Sequence, residues 1–276
     1  MSWWGKLIGG AFGYMAGGPI GLVIGAAIGH NFDRGLVDVL HRQNYGENAN
    51  SQSFEKEKTQ TAFFAATFAV MGHIAKSDGR VSEIEIRMAD NVMSQMNLSE
   101  QQKQYARSLF NEGKKENFDL IGVLAQLKNE CRFKAHLIQV FIEIQIALLL
   151  ADGVVHSKER KLIHDIGEQL GFNPGLIDQL IKMHQAYQRF TERGSDYRKT
   201  ETSPDGPLED AYAVLGVKAT DSDEKIKKAY RRLMNQHHPD KLVAKGLPEE
   251  MLKIATEKTQ EIKLAYEKIK KTRKTS

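Results

Sequence analysis

Asp223-Glu224-Lys225-Ile226-Lys227-Lys228-Ala229-Tyr230-Arg231-Arg232-Leu233-Met234-Asn235-Gln236, followed after His237 by His238-Pro239-Asp240-Lys241, decides how the C-terminal part of this chain folds. Ile226, Ala229, Tyr230 and Leu233 recur at helical spacing and make one apolar face, which leaves Lys227, Lys228, Arg231 and Arg232 on the wet side. Downstream, Pro248-Glu249-Glu250 reads as the start of a second long helix, with Ala255, Ile262, Ala265, Tyr266 and Ile269 as its apolar stripe. Two such helices close on each other as an antiparallel hairpin. The connecting loop then presents His238, Pro239 and Asp240 at its tip, where Pro239 fixes φ and Asp240 can accept hydrogen bonds from nearby backbone N–H groups.

The segment from Leu208 to about Lys271 resembles the J domain of the DnaJ co-chaperones. Its marks are Tyr212-x-x-Leu215-Gly216-Val217, the stretch Ile226 to Leu233, His238-Pro239-Asp240-Lys241, and Gln260 to Tyr266. A lone His-Pro-Asp is an ordinary turn, but four marks in register make the likeness specific. Where the family usually has two aromatic residues before Leu-Gly, Ala211 replaces the first and Tyr212 remains for the core. The resemblance implies that His238, Pro239 and Asp240 trigger ATP hydrolysis in a bound DnaK (Hsp70). It also implies that Lys227, Lys228, Tyr230, Arg231 and Arg232 form the helix that docks on an acidic surface of that partner. The J protein itself performs no chemistry. From Leu208 onward there are 16 Lys plus Arg against 11 Asp plus Glu, whereas the rest of the chain has 23 against 24, so the basic excess sits in this module.

A chain of 276 residues has room for two domains beside a membrane segment. One cysteine, Cys131, excludes an internal disulfide and a Cys-x-x-Cys zinc ribbon, and no cofactor is expected. The sequence pI of about 8.9 is compatible with nucleic-acid binding. There is, however, no zinc finger, aromatic RNA-binding signature or long basic run, and nucleic acid is not an expected partner. Lys268, Lys270, Lys271, Arg273 and Lys274 keep a peripheral contact with anionic lipid or nucleic acid open as an alternative.

Leu7 to Gly29 is 23 residues without a charge. As a helix it would be roughly 35 Å long at about 1.5 Å per residue, enough for a hydrocarbon core of about 30 Å. Trp3 and Trp4 sit where an interfacial aromatic belt belongs. Gly9, Gly13, Gly17, Gly21, Gly25 and Gly29 follow at intervals of four, a small-xxx-small ladder that lets helix backbones approach closely and points to a homodimer. A cleaved signal peptide is the rival reading. The apolar run is longer than a usual signal core and has no clear Ala-x-Ala site, which favours a retained anchor. Lys6 and the α-amino group oppose Arg34 and Arg42 about evenly, so charge leaves the orientation open.

Gln43 to Lys58 is polar and reads as a linker. From Thr61 to about Arg189 the pattern is helical throughout, which predicts a bundle of six or seven helices. The apolar run Phe141 to Leu150 contains Glu143 and Gln145 and is too short and interrupted for a second span. An internal repeat lies at an offset of 74 residues, pairing Asp78-Gly79-x-Val81 with Asp152-Gly153-x-Val155. Each copy reads as a helix end, a turn, a core plug, and a new helix with a polar cap and an acid, Glu85 or Glu159, in its first turn. Asp78, Glu85, Asp152 and Glu159 are also weak metal candidates, but each copy falls far short of a calcium-loop ligand set, and capping outweighs metal.

This doubled pattern in a helical setting resembles the TerB (tellurite-resistance) domain, which adds a fold more than a function. Together the parts resemble the membrane-anchored DnaJ-like protein A (DjlA) family of Gram-negative bacteria. The expected chain is all-α: an external N-terminus at 1–6, a transmembrane helix at 7–30, a juxtamembrane linker at 31–58, a TerB-like bundle at 59–190, a flexible linker at 191–207 and the J domain at 208–276. The likeness implies a regulatory co-chaperone of DnaK rather than an enzyme. It further implies a bacterial inner-membrane protein of single-pass type III topology with cytoplasmic C-terminal domains, a homodimer through its span, a membrane-associated client, and a link to envelope and capsule signalling. A metal- or stress-sensing membrane protein centred on the bundle, with the J domain as output, is the alternative.

Overall fold

The computed structural model describes residues 50–275 except 78, 80–82, 96–97, 133, 151–155, 197–205 and 249–250. The expected span and its glycine ladder lie outside the described residues. Among the described residues there is no strand, and no helix is long and apolar enough to cross a membrane.

Seven helices build the bundle: α1 (Asn50–Ala75), α2 (Glu83–Gln95), α3 (Glu100–Gly113), α4 (Leu120–Glu130), α5 (Ala135–Leu149), α6 (Ser157–Leu170) and α7 (Pro174–Asp196). α1 is its axis. Every residue from Ala62 to Met71 is buried, and a helix apolar on all sides must be surrounded on all sides. α3, α4 and α5 supply that cover. Phe63, Phe68 and Phe141 are fully buried, each contributing on the order of 1.5–3 kcal/mol by burial, and Phe63 meets Phe141 edge to face at 6.3 Å. α1 begins at Asn50, inside the stretch expected to be a linker. Its Gln, Glu and Lys residues are good helix formers, and a polar composition does not by itself end a helix that has a core to extend from.

The crossing of α1 with α3 is set by two glycines. A Cβ on Gly72 would fall on the carbonyl of Phe110, and one on Gly113 would fall on the carbonyl of Ala69, so the two backbones touch. In the same core Thr67 turns its hydroxyl back to donate to the Phe63 carbonyl at 2.7 Å. Gln145 from α5, fully buried, then donates to the carbonyl of Thr67 at 3.2 Å. The polar interruption that argued against a second span is therefore a hydrogen-bonding residue of the interior. Cys131 is buried as well, and burial pushes its thiol up to about 12, leaving it inert.

Four further helices follow: α8 (Gly206–Leu215), α9 (Asp223–His237), α10 (Pro239–Ala244) and α11 (Leu252–Thr275). α8, α9 and α11 share a core of Tyr212, Leu215, Ile226, Leu233, Ile262 and Ile269, to which α7 adds Met183 and Ala186. α7 continues to Asp196, into the stretch expected as a flexible linker, because Ala186 and Tyr187 and Phe190 after it still find apolar cover from α8. Arg189 of α7 pairs with the buried Asp210 of α8 at 2.9 Å.

Candidate functional site

α9 opens on Ser222, whose hydroxyl accepts from the N–H of Lys225 at 3.3 Å, with Asp223 and Glu224 in the first turn where the helix dipole favours acids. Ile226, Ala229 and Leu233 are buried, while Lys227, Lys228, Arg231 and Arg232 are all exposed. The expected division into a dry and a basic face is thus present on one helix. Tyr230 lies between the two faces and stacks on Tyr266 of α11, with ring centroids 4.2 Å apart.

The helix stops for a stated reason. His238 precedes a proline, whose ring disfavours helical backbone in the residue before it, and His238 accordingly sits at φ −60°, ψ 122°. Pro239 then fills the first position of α10, where a missing N–H costs nothing. His238 serves both helices: it ends α9, and its Nδ1 accepts from the N–H of Asp240 at 3.2 Å to cap α10. The cap requires Nδ1 to be without its proton. The expectation of an open loop with Asp240 as the acceptor is corrected here, since the tripeptide is a helix junction and histidine is the acceptor. Asp240 is left free to face outward, its side chain 89% exposed and its carboxylate 4.0 Å from His238 Nδ1. Lys241 reaches back to the side chain of Asn235, bridging the two helices.

Beyond the tripeptide the chain turns inward. Leu242 and Leu247 are fully buried, and Gly246 between them takes φ +103°, a backbone that an L side chain rarely adopts. Leu242, Leu247, Met251 and Ala255 belong to the core of the bundle rather than to that of the α9–α11 hairpin. The Leu247 carbonyl accepts from Gln60 Nε2 of α1 at 3.3 Å. His237, 2% exposed, lies with its Nε2 3.5 Å from a carboxylate oxygen of Glu143 on α5. These attachments, and His237 and Glu143 in particular, were not among the expected site residues. The visible signals were the doubled histidine His237-His238 and the apolar residues Leu242 and Leu247 in the connection.

A cavity of about 260 Å³ remains between bundle and hairpin, with Glu143, His184, Tyr187, His237, Lys258 and Glu261 on its polar side. Burial holds His184 down at about 3, with Lys258 adding to the effect. His237 is lowered too, chiefly by burial and against the pull of Glu143, with Lys258 and His136 assisting. Glu261 is raised by burial, in part offset by Lys258, whose Nζ is 3.3 Å away, and by Tyr187. The neutral forms therefore dominate this wall for the histidines at ordinary pH.

Of the four carboxylates named as weak metal candidates, Asp78 and Asp152 lie outside the described residues, as does the side chain of Glu85. Glu159 is committed elsewhere, its carboxylate accepting from the His156 N–H at 2.9 Å in the first turn of α6, as the capping reading expects. Among the described residues no group of three or more His, Cys, Asp or Glu is placed to hold a metal ion. Arg273, named for a peripheral lipid or nucleic-acid contact, instead ties the end of α11 down: it donates to the Tyr212 hydroxyl at 2.8 Å, to Asp223 at 2.6 Å and to the Ala219 carbonyl.

Comparison with known proteins agrees along the whole length. Three family models match: one described as the co-chaperone DjlA transmembrane domain over residues 1–39, the tellurite resistance protein TerB over 64–182, and the DnaJ domain over 210–276. The co-chaperone protein DjlA of Coxiella burnetii is 48% identical over 278 residues, covering 99% of each chain. The DjlA proteins of Photobacterium profundum and Escherichia coli are each 42% identical, covering 97% and 98% of this chain and 98% of their own lengths. No solved structure matches the chain.

Proposed function

The chain belongs to the co-chaperone DjlA family, a membrane-anchored co-chaperone carrying a TerB domain and a J domain, and from that premise we propose that it stimulates ATP hydrolysis by DnaK through His238, Pro239 and Asp240. The observation that carries this reading is the junction of α9 and α10: an aspartate 89% exposed, held beside a histidine cap, at the foot of a helix that presents Lys227, Lys228, Arg231 and Arg232 to solvent. A basic helix face raises the encounter rate with an acidic partner and sets its register. The tripeptide then contacts the docked chaperone. For hydrolysis to accelerate, that contact must favour the hydrolysis-competent state over the resting one, since equal affinity for both shifts nothing. No bond is made or broken by this chain.

DnaK consumes ATP in the cytoplasm, so this reading puts residues 50–276 on the cytoplasmic side and only the N-terminal tip outside. The glycine ladder from Gly9 to Gly29 supports self-association of the anchor, which would present two J domains to one membrane-associated client. The test is steady-state ATP turnover by DnaK with the full chain in detergent micelles. Wild-type chain accelerates turnover; His238→Gln and Asp240→Asn lose the acceleration while keeping their helix content. Equal stimulation by both variants would remove the role given to the tripeptide.

A further inference from the structure

The residues on either side of the tripeptide do not behave like a connection that merely closes a hairpin. Such a connection would turn its apolar side chains toward α9 and α11, the two helices it joins. Here Leu242, Leu247 and Met251, with Ala255 from the first turn of α11, enter the core built around α1 and α5, while Ile226, Leu233, Ile262 and Ile269 form the separate core of the hairpin. The loop is also fastened by polar contacts. Gln60 holds the Leu247 carbonyl, Glu143 faces His237, and the backbone at Gly246 lies so close to Thr59 that a Cβ there would stand 3.0 Å from its methyl group. His237 immediately precedes the tripeptide and Leu242 follows it by two residues, so both flanks are held by the bundle. The basic face of α9 and the carboxylate of Asp240 stay open to solvent.

We propose that the TerB-like bundle is the positioning partner of the trigger tripeptide: Gln60, Glu143 and the bundle core that receives Leu242 and Leu247 hold His238, Pro239 and Asp240 in the orientation that acts on DnaK. The inference rests on the function proposed above. It makes this J domain dependent on its bundle for effect, though not for docking, because the docking face of α9 touches none of these seats. The two contributions separate in one titration. Half-saturating concentration reports the basic face, and maximal stimulation reports how well the tripeptide is held.

The experiment titrates full-length chain in detergent micelles against DnaK and follows ATP turnover, with hydrogen exchange read over residues 238–247. Leu247→Asp puts a carboxylate into a fully buried apolar seat and should release the loop. The expected result is faster exchange over 238–247 and maximal stimulation at least fivefold lower, with half-saturation within about twofold of wild type. Gln60→Ala removes only the hydrogen bond to the loop and leaves the core intact; it should lower maximal stimulation about twofold at unchanged helix content, and it carries the test if Leu247→Asp fails to fold. Stimulation equal to or above wild type from a chain whose loop exchange has risen overturns the proposal, as does wild-type behaviour of a folded Gln60→Ala. His238→Gln keeps the two claims apart. If wild-type chain does not stimulate at all, the co-chaperone mechanism fails and the positioning claim with it. If wild type stimulates, His238→Gln does not, and the two loop variants match wild type, only positioning fails.

Discussion

Acid should weaken this protein through His184. Its folded-state value lies near 3, against an ordinary 6.5, because the half-buried ring is stripped of hydration in the wall between bundle and hairpin, with Lys258 adding to the effect. Between those two values the unfolded chain binds a proton that the folded chain refuses. Stability therefore rises with pH across this window and is lost as pH falls below about 6.5. At pH 5.0 the unfolded side chain is favoured by about 2 kcal/mol from protonation, at 1.36 kcal/mol per pKa unit, whereas at pH 7.5 the effect is close to zero. His237 shifts in the same direction, while Glu261, raised by burial, binds its proton more readily when folded and works the opposite way at the acidic end. The clean quantity is therefore a difference. His184→Phe keeps a flat ring against Tyr187, whose own ring stands 6.3 Å away, and has nothing to titrate. Urea unfolding of full-length chain in micelles, followed by far-ultraviolet circular dichroism at pH 7.5 and 5.0, should show wild type losing about 2 kcal/mol more than His184→Phe. If the two lose the same amount, within about 0.5 kcal/mol, His184 titrates like a solvated histidine and the desolvation assigned to it is wrong.

The glycine crossing is a second test. Gly113→Ala forces a methyl group onto the Ala69 carbonyl, a backbone atom that cannot step aside, so the cost should reach the upper end of the about 1–3 kcal/mol typical of overpacking and lower the melting midpoint. Gln145→Leu fills the same space and removes a second hydrogen bond from the Thr67 carbonyl, which keeps its place in the α1 ladder; a loss of about 0.5–1.5 kcal/mol in urea midpoint analysis is expected, and a neutral outcome would mean the bond to Thr67 contributes nothing. In the span, Gly17→Leu or Gly21→Leu should weaken a transmembrane self-association reporter, and an unchanged signal would make the segment a plain anchor.

The helices that carry the site were legible because they obey local rules. Ile226, Ala229 and Leu233 on one side and Lys227, Lys228, Arg231 and Arg232 on the other are sorted by a period of 3.6 residues, which needs no knowledge of the partner. The cap at Glu159 was legible for the same reason, since an acid three residues after a polar start satisfies N–H groups that belong to its own helix. The junction at His238 was only half legible. Proline's effect on the residue before it ends α9, but the six-residue α10 is too short to show a period of its own. Which side chain caps it depends on whether His238 or Asp240 turns toward the backbone, and both are chemically able to.

What could not be read was the partner of each buried group. An apolar residue in sequence says that it will leave water, not what it will leave water for. Leu242 and Ile226 look alike in a hydropathy pattern, yet one enters the core of α1 and α5 and the other the core of α9 and α11. Gly72 and Gly113 are 41 positions apart, and nothing local marks either as a contact, because the requirement for glycine arises only once two backbones meet. His237 is the sharpest instance. Beside His238 it reads as one more polar residue of the loop, but its neighbour faces solvent while it is 2% exposed against Glu143, nearly a hundred residues earlier in the chain. Adjacent residues with opposite fates are what the end of a helix produces when one flank rests on another domain. The burial of His237, rather than the motif that follows it, is the feature that ties this end of α9 to the bundle.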